Sequence, residues 1–302
     1  MNQYLTIQER PRLRQPYLVA GFSGWLDGGE ASTGTVKYLI RRLRAKKFAE
    51  IATTDFQVFQ VPGIEPLRPH IKFEEGVIKE VRFTSNEFFY WKNEKAEGKR
   101  DLILLLGTEP NLRWLEYLDG VLDLAQQFGV KKVYSVGGVM GGVPHTREPA
   151  ISCGVSDPHL KEELDKYAVR YSNYEGPSTF NSILLTACQK RGVEAVHMTG
   201  RAVYYPDFNI VIPYNPQVIH SILKRLVRML GISLDLSDLE RAGRELVDKL
   251  NFMAEQSSQL REYVEELERN YVEQRYEEPI QGAPEDFVRD AEEFLRQRRE
   301  GE

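Results

Sequence analysis

The feature that most constrains this 302-residue chain is a short apolar run, Tyr17-Leu-Val-Ala-Gly-Phe22. It passes through a glycine-rich turn, Gly21 to Gly29, into residues with helical periodicity. A run without polar alternation predicts a strand buried on both faces, as in an α/β sheet covered by helices. Ala31, Val36, Leu39, Ile40 and Leu43 then recur at helical spacing, so one stripe of the following helix faces that sheet. Asp27-Gly-Gly-Glu30 reads as a capping box that satisfies the first free amides of this helix.

The same order of strand, turn and helix recurs. Asp101-Leu-Ile-Leu-Leu-Leu-Gly107 is followed by Thr108-Glu-Pro110 and by Leu112, Leu115, Leu118, Leu122 and Leu124, with Pro110 expected in the first helical turn. A third unit runs from Lys132-Val-Tyr-Ser-Val136 into a second glycine turn, Gly137 to Gly142, and Ala195-Val-His-Met-Thr199 is a fourth candidate strand. Between the first two units, Asp55 to Phe59, Gly76 to Phe83 and Glu87 to Trp91 alternate apolar and polar residues, which predicts antiparallel strands. Helices are expected at Ser178 to Lys190 and Pro216 to Leu230. The expected fold is a three-layer α/β sandwich with a mixed central sheet over residues 1–233.

Beyond the sheet, breakers are nearly absent from Leu239 to Pro279, and apolar residues recur three or four apart. Residues 234–276 therefore read as a long helix or a helical hairpin. Asn251 to Ser258 is the expected bend. Residues 277–302 read as a linker and a terminal amphipathic helix carrying Phe287, Val288, Ala291, Phe294 and Leu295.

Composition narrows the function classes. A formal charge of −5 argues against a general nucleic-acid binder, because neutralising phosphates needs a clustered basic surface. The longest apolar run, Leu102 to Leu106, is too short to span a bilayer, and no basic segment precedes an apolar run at the N-terminus. Cys153 and Cys188 are too few for a disulfide framework, so a reducing, cytoplasmic setting is expected. Cys153 reads as a small apolar residue of a strand rather than a reactive thiol.

Several chemistries lack their motifs. Gly21, Gly24, Gly28 and Gly29 match neither the dinucleotide fingerprint nor the P-loop, and Asp27 with Glu30 would repel an anion. His70, His145, His159, His197 and His220 show no ligand spacing, so neither a metal nor a cofactor is expected. Ser23 lacks the flanking glycines of a nucleophile elbow. What the pattern does place together is a polar set beyond the carboxyl ends of the strands, where open α/β sheets bind ligands. Asp27 and Glu30 come from the first turn. Glu109 and Arg113 follow the second strand, one helical turn apart. His145, Thr146 and Arg147 follow the second glycine turn.

The ordered motifs Gly21-Phe-Ser-Gly-Trp-Leu-Asp-Gly-Gly-Glu30, Leu106-Gly-Thr-Glu-Pro-Asn-Leu-Arg-Trp114, Gly137-Gly to Val143-Pro-His-Thr-Arg147, and Tyr174-Glu-Gly-Pro177 resemble the proteasome assembly chaperone 2 family. The tail beginning Leu234-Asp-Leu-Ser-Asp-Leu239 is similar to the helical extension of its bacterial members. The resemblance implies a fold like that of nucleoside phosphorylases, a C-terminal helical region and homo-oligomers. It also implies partners among proteasome subunits in hosts that have them. Relatives in eukaryotes and archaea use a terminal hydrophobic residue, a tyrosine and one further residue to dock between α subunits, a pattern that Arg299-Glu-Gly-Glu302 does not match.

Two functions follow. The first is a non-enzymatic assembly-chaperone-like or scaffold protein that acts as a homo-oligomer. The second is a small-ligand binder or a phosphorylase- or hydrolase-like enzyme, whose pocket would be formed by the seven polar residues.

Overall fold

The structure is a computed structural model that describes residues 3–59, 69–94 and 100–272. In its first half lie β1 (Leu5–Ile7), β2 (Tyr17–Ser23), α1 (Ala31–Leu43), β3 (Lys46–Ile51), β4 (His70–Glu74), β5 (Val77–Arg82), β6 (Asn86–Trp91), β7 (Leu102–Thr108), α2 (Trp114–Gln127) and β8 (Lys132–Gly141). The second half adds β9 (Ile151–Val155), α3 (Leu160–Leu164), β10 (Arg170–Tyr171), α4 (Phe180–Lys190), β11 (Glu194–Tyr205), β12 (Ile210–Val211), α5 (Pro216–Met229), α6 (Ser237–Glu255) and α7 (Ser258–Arg269).

The main sheet has the order β1-β3-β6-β7-β2-β8-β11-β9-β10, with β12 paired to β11. Its centre, β7-β2-β8-β11, is parallel, while β6, β3 and β1 join antiparallel on one side and β9 joins β11 antiparallel on the other. The sheet is therefore mixed, as the sequence predicts.

The apolar strands feed two cores by simple alternation. Val19, Leu102 and Leu104 face one layer with Leu39 of α1 and Ile219, Leu223 and Leu226 of α5. Leu18, Ala20, Ile103 and Leu105 face the other, with Leu118, Val121 and Leu122 of α2 and Phe180 and Leu184 of α4. α5 starts where its sequence says it should: Pro216 occupies the first turn and the Asn215 side chain accepts from the amides of Gln217 and Val218.

The C-terminal periodicity resolves into two helices. α6 ends at Glu255, and Ser257 caps α7 by accepting from the Leu260 amide at 3.2 Å, so the bend falls inside the expected stretch. Leu250, Leu260 and Val264 of this hairpin close a third apolar cluster with Val143, Val203, Tyr205 and Ile210. The expected terminal helix, Phe287 to Leu295, lies outside the described residues.

Local expectations fail at four places, each for a tertiary reason. The second glycine turn, Gly137 to Gly142, is mostly strand: β8 runs on to Gly141 because it pairs with β11 as far as Gly141 opposite Val203. Glycine is needed there for a close approach, since a Cβ on Gly138 would lie 2.4 Å from that of Ala31 and 2.5 Å from the Gly28 carbonyl oxygen. Asp55 to Phe59 is not a strand; its turn drops a fully buried Phe56 between Tyr4 and Tyr117. The helix expected at Pro110 begins only at Trp114, because the amides of Asn111 and Leu112 are held by the Phe56 carbonyl. Glu109 and Arg113 are therefore not a turn apart on one helix. The fourth departure is the capping box, taken up below.

Candidate functional site

The parallel strands β2, β7 and β8 end on the same edge of the sheet, and the connections that follow them carry the polar residues singled out in the sequence. Asp27 sits half-buried in the β2–α1 connection. Its Oδ1 accepts from the amides of Ser32 and Thr33, both at 2.9 Å, and its Oδ2 accepts from the Thr33 hydroxyl at 2.7 Å. The capping is one-sided: Glu30 has left-handed backbone, φ 50°, and its carboxylate pairs with Lys37 at 3.1 Å instead of returning to an amide. Burial pushes the Asp27 carboxyl above its ordinary range, against the hydrogen bonds from Thr33 and Ser32 that favour its charge. A neutral acceptor should then serve nearly as well. Asp27→Ala is expected to lower stability by about 1–2 kcal/mol and Asp27→Asn by only a few tenths, as read from urea unfolding.

Glu109 reaches across to the same connection. Its Oε2 accepts from the Trp25 amide at 2.9 Å, and its own amide donates to the Ser23 carbonyl. Asp27 and Glu109 thus both hold the first glycine turn. Arg113, with left-handed backbone at the start of α2, donates from Nη1 to the Tyr4 hydroxyl at 2.8 Å.

The third group does something else. His145 is buried, with Nδ1 3.0 Å from the Tyr205 hydroxyl and Nε2 3.0 Å from Asn251 Oδ1 on α6. The Thr146 hydroxyl donates to Glu268 on α7, and Arg147 lies 3.8 Å from the same carboxylate. Burial pulls the His145 imidazole below its ordinary pKa, with Asn251 and Glu268 opposing, so the ring is neutral near pH 7. These three residues latch the α6–α7 hairpin to the end of β8.

The seven residues are therefore brought to one end of the sheet but divided by their partners. Two clefts lie elsewhere and include none of the seven: one of about 190 Å³ between α5 and α6, and one of about 540 Å³ along α7 beside Phe208. Among the described residues no group of three or more His, Cys, Asp or Glu side chains is placed to hold a metal ion. Cys153 and Cys188 are buried thiols, each pushed up by burial to about 12.

Sequence reasoning missed three features. Glu148 joins Lys224 and the fully buried Arg225 at 3.0 and 2.8 Å. His197 lies between the hydroxyls of Ser135 and Thr199, at 2.9 and 2.8 Å. Trp25 in the first turn and Leu112 and Leu115 at the start of α2 are 66%, 47% and 68% exposed. Only the last left a trace in the sequence, as an aromatic residue within a glycine turn and two leucines flanking a helix start.

The family model of the PAC2 family matches residues 21–254, which run from the end of β2 through nearly all of α6. The chain belongs to the PAC2 family. A PAC2 family protein from Streptomyces avermitilis is 29% identical, with 82% of this chain and 99% of that one covered at a TM-score of 0.69. A proteasome-assembly chaperone homologue from Mycobacterium tuberculosis is 25% identical over 82% of this chain and 99% of that one, with a TM-score of 0.72. An archaeal proteasome activator, PbaB of Pyrococcus furiosus, shares the fold at 22% identity and a TM-score of 0.63, covering 82% of this chain and 97% of that one. No curated protein matches this PAC2 chain.

Proposed function

We propose that this PAC2 protein is a non-enzymatic, assembly-chaperone-like protein that works in the cytoplasm as a homo-oligomer by contact with other proteins. The observation that carries the reading is the division of labour at the sheet end. Each polar residue that a catalytic pocket would need has an intramolecular partner, while Trp25, Leu112 and Leu115 are left to solvent beside them. Large apolar residues left exposed on connections that emerge at the same end of the sheet supply a contact surface. Kinship with a proteasome-assembly chaperone homologue supports the same reading and makes proteasome subunits the partners to test in a host that has them.

The test is copurification from the native cell with wild-type protein and with Trp25→Ala/Leu115→Asp. Both side chains are exposed, so folding should be little affected. A partner recovered in fixed ratio with wild type and at least tenfold less with the variant is expected. Recovery of no partner, together with stabilisation of the protein by a nucleoside, phosphate or carboxylate in a thermal-shift screen, would overturn the reading in favour of a ligand pocket.

A further inference from the structure

α7 breaks local rules along one of its faces. Glu262, Glu265, Glu266 and Arg269 recur three or four residues apart and so share one stripe of the helix. Like charges at that spacing repel, and Glu266 stands in the last turn, where the helix dipole disfavours a carboxylate. Elsewhere on the hairpin such costs are offset within the chain: Glu240 pairs with Arg244 at 2.5 Å, and Glu268 accepts from the Thr146 hydroxyl. Among the described residues the side chains of Glu262, Glu265 and Glu266 make no ion pair or hydrogen bond, and neither does that of Asp207. All four carboxylates, with Arg269 as the single cation, line the cleft of about 540 Å³ between α7 and the turn after β11. Two half-buried rings, Phe208 and Tyr263, also line it, with centroids 5.7 Å apart and planes tilted by 42°. Tyr263 is held in place: it stands edge-on to Tyr205 at 5.5 Å, and a Cβ on Gly142 would lie 2.8 Å from its hydroxyl oxygen.

We infer that this cleft takes arginine side chains from a basic segment of a partner protein. Its support is charge complementarity joined to the fixed rings. A guanidinium can fork onto a carboxylate while its plane stacks on an aromatic face, so one side chain uses both parts of the lining. Bound arginine supplies the counter-charge that the chain itself does not give to Glu262, Glu265 and Glu266. Local rules broken without a compensating gain inside the fold are where folded chains carry function. The surface goes beyond the contact proposed above and shares no residue with Trp25, Leu112 and Leu115, so the two stand or fall separately.

Fluorescence anisotropy with a fluorescein-labelled peptide of alternating arginine and glycine tests the cleft. Full-length wild type is compared with Glu262→Gln/Glu266→Gln, with Phe208→Leu, and with Glu245→Gln/Asp248→Asn, which removes the same charge from exposed positions of α6 outside the cleft. Removing like charges from α7 should leave its folding intact, and thermal unfolding followed by circular dichroism checks this for every variant. Wild type is expected to bind the peptide, and the cleft pair to bind it at least tenfold more weakly. The α6 pair should lose less than twofold. Phe208→Leu keeps the apolar contact but not the ring, and should weaken binding about threefold. Equal losses in the two charge-neutralised pairs would overturn the site by showing only diffuse attraction to an acidic surface. So would a wild type that does not bind the peptide. Spermidine that displaces the peptide at a concentration below the peptide's own Kd would overturn the protein partner in favour of a small polyamine.

Discussion

Glu148→Ala is expected to lower the unfolding free energy by about 3–5 kcal/mol, because it strands a buried charge. Arg225 is fully buried, and its guanidinium cannot shed its proton. It donates to Glu148 Oε1 at 2.8 Å, to the carbonyls of Tyr167 and Ser221 at 2.8 and 3.0 Å, and to the Ser221 hydroxyl at 2.9 Å. Backbone dipoles satisfy its hydrogen bonds but do not neutralise it. Burial pushes the Glu148 carboxyl up, and the charges and hydrogen bonds of Arg225 and Lys224 outweigh that, leaving it below the ordinary carboxylate range. The stability it contributes is therefore present above its unfolded pKa and lost only as pH falls through the lowered one. Urea unfolding at pH 7 reads the effect. Arg225→Met should cost less than Glu148→Ala, since Lys224 still neutralises Glu148. The double variant Glu148→Leu/Arg225→Met should cost less than the sum, with the difference giving the pair's coupling.

Between about pH 6.5 and pH 4 the protein is expected to lose about 3 kcal/mol of stability through His197 alone. Burial lowers the imidazole from 6.5 to about 4, with the hydrogen bond that the ring donates to the Ser135 carbonyl opposing. The unfolded chain therefore binds a proton in that window which the native protein refuses, so stability falls as pH falls, by at most about 1.4 kcal/mol per pH unit. His197→Gln removes the titration, whatever offset it introduces at pH 7. The slope of stability against pH, wild type minus variant, isolates the effect. His145, also lowered by burial, adds a slope of the same sign in both proteins, and His159, raised by Asp157 and Glu194, adds the opposite one. An unchanged slope in His197→Gln would show that the ring takes up its proton equally in the folded and unfolded states.

Much of the fold was legible because it rests on short-range pattern. β2 and β7 are uniformly apolar and prove buried on both faces, and α5 announces itself with Asn215-Pro216 and a regular stripe. The bend before Ser258 follows from loss of periodicity. The misreadings share one cause. Gly137 to Gly141 carries the local signature of a turn, but a partner strand and a packed helix start need glycine in an extended backbone. Asp55 to Phe59 alternates like a strand, yet the interior required one phenylalanine rather than another pairing edge.

The candidate site was legible in location but not in role. The sequence alone puts Asp27, Glu109 and His145 on the connections that follow β2, β7 and β8, since topology dictates where each connection emerges. Their chemistry depends on partners that no local pattern identifies. Asn251 is 106 residues from His145, and Arg225 is 77 from Glu148. By itself the sequence determined the α/β class, the strands that form the sheet's centre and the motifs by which the family is known, because each depends on neighbours a few residues away. Only the tertiary structure decided that Glu30 leaves the capping box for Lys37 and that His145 latches a hairpin. Whether a polar group acts as a tether or a reagent, and whether an apolar one is core or contact, depends on what the folded chain places beside it.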